Sequence, residues 1–321
     1  MLLTVSNSKD LATDYLILKL KEESIPFVRL NTNHYNKEYK INLFLDGESY
    51  NFEIIFKDGK KIAREDIKAV YFRQPRLPEL EALIDDKDLE FAKREISEIF
   101  RSLWRFIKKD KWLNHPENLW SATNKPKQLR LAADIGFKIP NTCITTSKKK
   151  IKDFFIENDY NVIGKAVRHG FYPQDDEVIV ANTQKLSRDY PEKVDEYAPV
   201  PMIFQEHIKK EFDVRVTVVG NRVFSTAIYS QEHPETSIDW RVWDKLDIDL
   251  KHESIRLPNS IRKKCLKITE QFNLNYAAID LIKNLNNEYI FLELNPNGQW
   301  AWIEQMTGEP IRKEIIKVLG V

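Results

Sequence analysis

The chain has 321 residues, 42% of them hydrophobic, with 17 Phe, 12 Tyr and 7 Trp, enough apolar material for two or three packed units and too much for a chain dominated by disorder. Fifty basic residues oppose 49 acidic ones, so no global field selects a nucleic acid or a membrane, although a balanced total can hide a local basic cleft. Two distant cysteines, Cys143 and Cys265, exclude a disulfide framework. The apolar run Met1–Val5 is too short for a signal peptide and no later stretch is long enough to span a membrane, so a soluble cytoplasmic protein is expected.

Leu2–Ser6 reads as a strand, Leu11–Glu23 as a helix with Leu11, Tyr15, Leu18 and Lys19 at helical spacing, and Pro26–Leu30 as a second strand. That order predicts a small parallel sheet. Ile41–Leu45 and Tyr50–Phe56 alternate around Asp46-Gly47, a hairpin signal. Ala69–Phe72 is a further strand, running into Arg73-Gln74-Pro75. A long amphipathic helix follows from about Leu89 to Lys109, with Phe91, Ile96, Phe100, Leu103 and Phe106 directed at a core. The pattern breaks at Trp112–Pro116, where a first boundary is placed. Lys125–Gly136 is a helix stopped by its glycine. Ile139–Thr145 is a strand, Lys150–Glu157 a helix and Asn161–Val167 a strand, before a turn at His169-Gly170. The polar, proline-punctuated stretch 183–201 reads as a connector or flap. Met202–Gln205, Val214–Val219 and Val223–Tyr229 are strands, the last two joined at Gly220-Asn221. A helix over Ser260–Phe272 leads into the strands Ala277–Ile282 and Tyr289–Leu294.

The final strand pair carries the clearest chemistry. Asp280 and Glu293 each interrupt an apolar β run, and Asn295 lies two residues beyond Glu293. Period-two alternation puts Glu293 and Asn295 on one face, which Asp280 joins if the strands pair. Two carboxylates and an amide oxygen form a hard-oxygen site suited to Mg²⁺. On spacing alone, surface carboxylates on an edge strand fit as well, although apolar flanks argue for burial. The sequence has no GxxxxGK[ST] loop, no GxGxxG fingerprint, no nucleophile motif and no histidine pair at metal-ligand spacing.

Asp280 followed by Glu293-Leu294-Asn295-Pro296-Asn297-Gly298-Gln299-Trp300 resembles the end of ATP-grasp enzymes. It is most similar to the ligases that cyclise microviridin-type peptides, the ribosomally made graspetides. The resemblance covers most of the chain from Asn124 onward and, through fewer distinctive residues, the N-terminal third. It implies an α/β ATP-grasp fold with a pre-ATP-grasp domain (1–115), a central subdomain (116–200) and a C-terminal subdomain with the metal site (201–321). It further implies ATP and Mg²⁺ as cofactors, with Asp280, Glu293 and Asn295 on the metal. Lys125 and Lys165 would reach the phosphates, Lys127 being the rival for the first role. Backbone groups near Glu206 and Ile208 would read adenine, Asp213 matches the ribose position, and Arg215 and Arg241 would face the transferred phosphate. Arg73 is a candidate contact for a substrate carboxylate, and His169 for a phosphate loop.

The implied reaction activates an Asp or Glu side chain of a precursor peptide as an acyl phosphate. A Thr or Ser hydroxyl, or a Lys amine, then closes an ω-ester or ω-amide ring. The implied partner is a precursor with a leader segment and an acidic, Thr-rich core; no nucleic acid or membrane partner is expected, and a homodimer is plausible for such a family. Two other readings stand beside this one: a ligase adding a free amino acid to a peptide end, like the ribosomal-protein glutamate ligases, and a non-catalytic peptide-binding scaffold. The ending Asn295–Trp300 favours the cyclase over the first, and the complete metal set speaks against the second.

Overall fold

The computed structural model describes residues 1–321 apart from 82, 169, 170, 175, 176, 181 and 244, and gives the backbone alone at 171–174, 177–180 and 197. The His169-Gly170 turn, and with it the phosphate-loop reading of His169, therefore lies outside the described residues.

The N-terminal part is built on the parallel sheet expected from its strand–helix–strand order. Strand Leu2–Ser6 lies between Phe27–Asn31 and Ala69–Phe72. The Asp46-Gly47 hairpin joins Tyr39–Leu45 to Tyr50–Phe56. The first helix, Leu11–Glu22, buries a different stripe from the one read in the sequence. Ala12, Leu16, Ile17 and Leu20 face inward, while Leu11 and Leu18 are exposed. A short helix rich in apolar residues offers two overlapping stripes, and packing chooses between them. Here the choice is made by the C-terminal helices Ala301–Thr307 and Ile311–Leu319, which share a core with this helix and with Leu2, Tyr71 and Trp300. In the long helix Asp86–Phe106, Phe100 and Leu103 are buried as anticipated, but Phe91 is exposed.

Two further sheets face one another. The four-stranded sheet runs in the order Gln184–Lys185, Val162–Ala166, Tyr197–Glu206, Thr142–Ser147. The five-stranded sheet runs His252–Ser254, Arg222–Ile228, Lys210–Val219, Tyr276–Asn284, Tyr289–Asn295. The supposed flap at 183–201 is thus partly regular, containing the short strand at Gln184, a helical turn at Tyr190–Lys193 and the start of Tyr197–Glu206. No helix among the described residues is long and apolar enough to cross a membrane.

Helix Lys125–Ile135 sits against the edge of the five-stranded sheet, and its ends follow from its sequence. Asn124 caps it by accepting from the Lys127 N–H at 2.9 Å, Pro126 occupies the first turn, and Gly136 ends it at φ 92°. Each device satisfies or avoids orphaned backbone groups at a helix end. The start of this helix is what aims Lys125.

Candidate active site

The five-stranded sheet brings the three expected metal residues together. Asp280 pairs with Glu293 and Ala278 with Asn295, in antiparallel register. Between Asp280 and Leu281 the register shifts, so that Leu281 pairs with Phe291 and Leu292 is the extra residue. This bulge has a clear consequence. Phe291 and Glu293 are two apart and would share a face in a regular strand, yet Phe291 is fully buried in the core while Leu292 and Glu293 both line the cavity between the sheets. A bulge re-aims side chains in this way without breaking the sheet. Asn295 Nδ2 donates to Asp280 at 3.1 Å and to Glu293 at 3.3 Å.

The donor chemistry fits Mg²⁺. Two carboxylates and one amide converge, and an amide turned by half a rotation presents its oxygen in place of its NH₂. Among the described residues no group of three or more His, Cys, Asp or Glu could hold a metal ion by itself. Such a site leaves positions for phosphate and water oxygens, the usual arrangement for Mg²⁺.

Cations surround these carboxylates. Arg215 Nη1 donates to Asp280 at 2.8 and 3.0 Å, and its Nη2 reaches the Gln299 carbonyl at 3.2 Å. Lys125 Nζ lies 3.4 Å from Glu293 and donates to the Ala166 carbonyl at 3.1 Å. Lys127 instead donates to Ser121 and lies over the Phe272 ring, so geometry prefers Lys125 at the site. Arg241 Nη1 is 3.6 Å from Glu293. Burial alone would raise the Glu293 carboxyl, but Lys125, Arg241 and Lys165 outweigh it and hold it down to about 2. Burial pushes the Asp280 carboxyl up, with Arg215 opposing and Glu293 adding to the rise. Lys165, on strand Val162–Ala166, is pushed down by burial to about 8 despite Glu293.

Cavity shape separates two compartments. One, of about 370 Å³, lies between the sheets and is lined by Lys125, Lys165, Asp213, Arg241, Asp280 and Glu293. It continues past Ile163, Ile238 and Leu292 into an apolar slot edged by Glu206, His207, Ile208 and Ile282. The Glu206 carboxylate accepts from Asn141 Nδ2 at 2.6 Å. Asp213 is buried, held by Lys210 at 2.7 Å and by the Ser230 hydroxyl. The second compartment, of about 930 Å³, lies beyond Trp240, Arg241, Asp280 and Asn295, which line both. Its lining includes the aromatic residues Phe72, Trp120, Trp240, Trp243 and Trp302 beside polar Gln74, Gln299 and Gln305.

Several contributors were not visible beforehand. Gln128, one turn along the helix from Lys125, is buried and pairs with the strand backbone between Glu293 and Asn295. Its Nε2 donates to the Leu294 carbonyl at 2.7 Å and its Oε1 accepts from the Leu294 N–H at 2.9 Å. Gln205, fully buried, keeps an unpaired Oε1 at the cavity wall. Asp239 grips Arg241 through two hydrogen bonds of 2.7 and 2.6 Å and accepts from the Thr183 N–H. Only the acid two residues before Arg241 could have signalled it. Arg73, by contrast, is engaged by other parts of the chain. It is buried against Asp10 at 3.1 Å and donates to the Asn297 and Gly298 carbonyls at 3.0 and 2.8 Å, tying the N-terminal sheet to the Asn295–Trp300 loop.

Comparison with known proteins bears on the family and the fold. The family description "RimK-like ATP-grasp domain" matches residues 122–319, and "MvdD pre-ATP grasp domain" matches residues 1–119. No curated protein matches in sequence. Among solved structures, a RiPP-associated ATP-grasp ligase from Chryseobacterium gregarium, in complex with ADP and a leader and core peptide, is 27% identical. Its TM-score is 0.89 over 99% of this chain and 96% of that one. The macrocyclase MdnC bound with precursor peptide MdnA, from Microcystis aeruginosa MRC, is 25% identical at TM-score 0.86, covering 99% of each chain. Macrocyclase MdnB of the same organism, at 24% identity and TM-score 0.79 over 99% of this chain and 98% of that one, shares the fold. The microviridin-type resemblance is borne out, and the chain belongs to the RimK-like ATP-grasp family, preceded by an MvdD-type pre-ATP-grasp domain.

Proposed function

We propose that this chain is an ADP-forming ligase that crosslinks side chains of a ribosomally made precursor peptide. The observation that carries the reading is the meeting of two cavities at Arg241, Asp280 and Asn295: a phosphate-and-metal compartment on one side and an aromatic cleft large enough for a peptide segment on the other. The family supports ATP use, and the C. gregarium ligase and MdnC, solved with a leader and core peptide and with a precursor peptide, support a peptide partner.

In this reading Lys125 and Lys165 hold phosphate oxygens, the Ile163–Leu292 slot takes the adenine, and Asp213 takes the ribose. Asp280, Glu293 and Asn295 hold Mg²⁺, which when bound neutralises charge on the transferred phosphoryl group. A carboxylate oxygen of the peptide, held near Arg241, attacks the γ-phosphorus as the bond to the β-phosphate oxygen breaks, releasing ADP. The acyl phosphate carbon is then attacked by a hydroxyl or amine of the same peptide, which loses its proton as phosphate leaves. Arg215 and Arg241 oppose the negative charge of both steps, and planar, permanently charged guanidinium groups suit that task. The product is an ω-ester or ω-amide ring. The three-part division and a cytoplasmic location belong to the same proposal, with the second boundary moved from 200 to beyond Glu206 because strand Tyr197–Glu206 pairs within the four-stranded sheet.

Incubation with ATP, Mg²⁺ and a precursor whose C-terminal half carries Thr and Asp/Glu tests it. Loss of one water per ring in the peptide mass, with stoichiometric ADP, is the expected result. A peptide of unchanged mass, with no peptide-dependent ADP, would refute the ligase.

A further inference from the structure

The aromatic cleft has a wall that the reaction itself does not use. Trp240 and Trp302 lie 5.4 Å apart between ring centroids, and Trp243 lies 6.4 Å from Trp302. Behind them His252 packs edge-on against Trp302 at 5.2 Å and Trp243 at 5.4 Å. The three indoles are therefore braced in place rather than lying loosely on the surface. Trp120 and Met306 add to the apolar lining and are about half exposed, at 45% and 49%. Trp240 begins the wall in the same helical turn that Asp239 caps and that carries Arg241, so wall and arginine are positioned by one piece of backbone. Among the described residues, the charged ones lining this cleft, Arg215, Arg241 and Asp280, stand where it meets the nucleotide compartment.

Resting on the proposed function, we infer that Trp240, Trp243 and Trp302 form a side-chain subsite that selects a bulky apolar or aromatic residue beside the activated acid of the core peptide. An acid reaching Arg241 fixes the peptide at that junction. An extended chain advances only about 3.3–3.6 Å per residue, so the neighbours of the acid cannot avoid a wall that starts at Trp240. Burying a large apolar side chain against three indoles is favourable through both area and ring geometry. A flanking acidic residue would lose water there and find no cation among the described lining residues beyond the junction. The occupant is thus the flank of the substrate itself.

The test is a peptide series differing only at the residues flanking the reactive acid: Leu, Phe or Trp, against Ser or Glu. The wild-type enzyme should prefer the apolar flanks by at least about tenfold in kcat/KM, the scale on which an apolar pocket discriminates. Trp302→Ala should reduce that preference to about twofold, and Trp302→Phe, which keeps an aromatic surface and avoids a large cavity, should retain most of it. Equal crosslinking of all flanks, or a preference for Glu, by the wild-type enzyme would overturn the inference while leaving the ligase reading intact. Failure to crosslink any peptide, with no peptide-dependent ADP, would remove that reading and the subsite with it.

Discussion

Arg215 and Asp280 face each other across paired strands, with one Arg215 nitrogen donating to both carboxylate oxygens at 2.8 and 3.0 Å. Both side chains are buried, and Asp280 also opposes Glu293. The pair keeps two carboxylates side by side before any divalent ion arrives. A buried pair of this kind is costly to break from one side, because the remaining charge is left uncompensated.

Asp280→Asn and Glu293→Gln should therefore both lose stability as well as activity. Each removes an anionic oxygen from the metal set, and peptide-dependent ATP turnover should fall about a hundredfold or more in both. Asp280→Asn also leaves Arg215 without its counter-charge and should cost about 3–5 kcal/mol, read as a lowered urea midpoint. Glu293→Gln removes the charge that Lys125, Arg241 and Lys165 stabilise and leaves those three cations mutually repelling, so it should cost a comparable amount. Near-normal turnover in both variants would refute the metal assignment.

Gly298 explains part of the distinctive ending of the metal motif. A Cβ at this position would lie 2.5 Å from the Ala278 Cβ and 2.7 Å from Arg215 Nη2. The loop passes so close to the strand that only a hydrogen fits. Gly298→Ala should destabilise by about 1–3 kcal/mol, as overpacking does, and should lower turnover beyond the stability loss by displacing Arg215. A variant with wild-type turnover and wild-type melting temperature would show that the loop has room to move.

Gln128 predicts a different phenotype. The edge strand Tyr289–Asn295 has no neighbour beyond it at Leu294, and the Gln128 amide supplies both missing hydrogen bonds there. Gln128→Met conserves volume but leaves the Leu294 N–H and C=O unpaired, a penalty of about 1–3 kcal/mol for each buried group. Since Leu294 lies between two proposed metal-site residues, the Mg²⁺ concentration for half-maximal activity should rise, with nucleotide affinity measured without metal changing less. Equal losses in both would reduce Gln128 to a purely structural role.

The limits of the sequence reading follow from the same contacts. Asp280, Glu293 and Lys165 were legible because charge inside an apolar β run is costly unless it is used, and the Asp46-Gly47 and Gly220-Asn221 hairpins because turn chemistry is local. Gln128 was not, since an amide on a helix reads as a surface residue until the facing backbone is known. The bulge at Leu292 leaves no mark in the residue pattern. Nor does the docking of Ala301–Thr307 and Ile311–Leu319 onto the N-terminal part, which decided the buried face of Leu11–Glu22 and made Trp300 a core residue donating to the Tyr71 hydroxyl at 3.0 Å. Arg73 was misread for the same reason: the Asn297 and Gly298 carbonyls it meets lie more than two hundred residues along the chain.

Lys165 links the site to pH, with opposite signs for binding and folding. Burial lowers its ammonium from the ordinary 10.5 to about 8, and only the charged form attracts phosphate. Nucleotide affinity should be fully present below pH 8 and should weaken as pH rises through that value. The unfolded chain holds this proton up to 10.5, so between 8 and 10.5 it binds more protons than the folded chain, and the contribution of Lys165 to stability rises with pH. Loss of nucleotide affinity in that window is therefore not explained by this group unfolding the protein. ADP titrations between about pH 7 and pH 9.5 should show a decline in the wild type that flattens in Lys165→Arg, whose guanidinium stays charged. Parallel curves for the two proteins would place the titrating group elsewhere and remove Lys165 from the phosphate site.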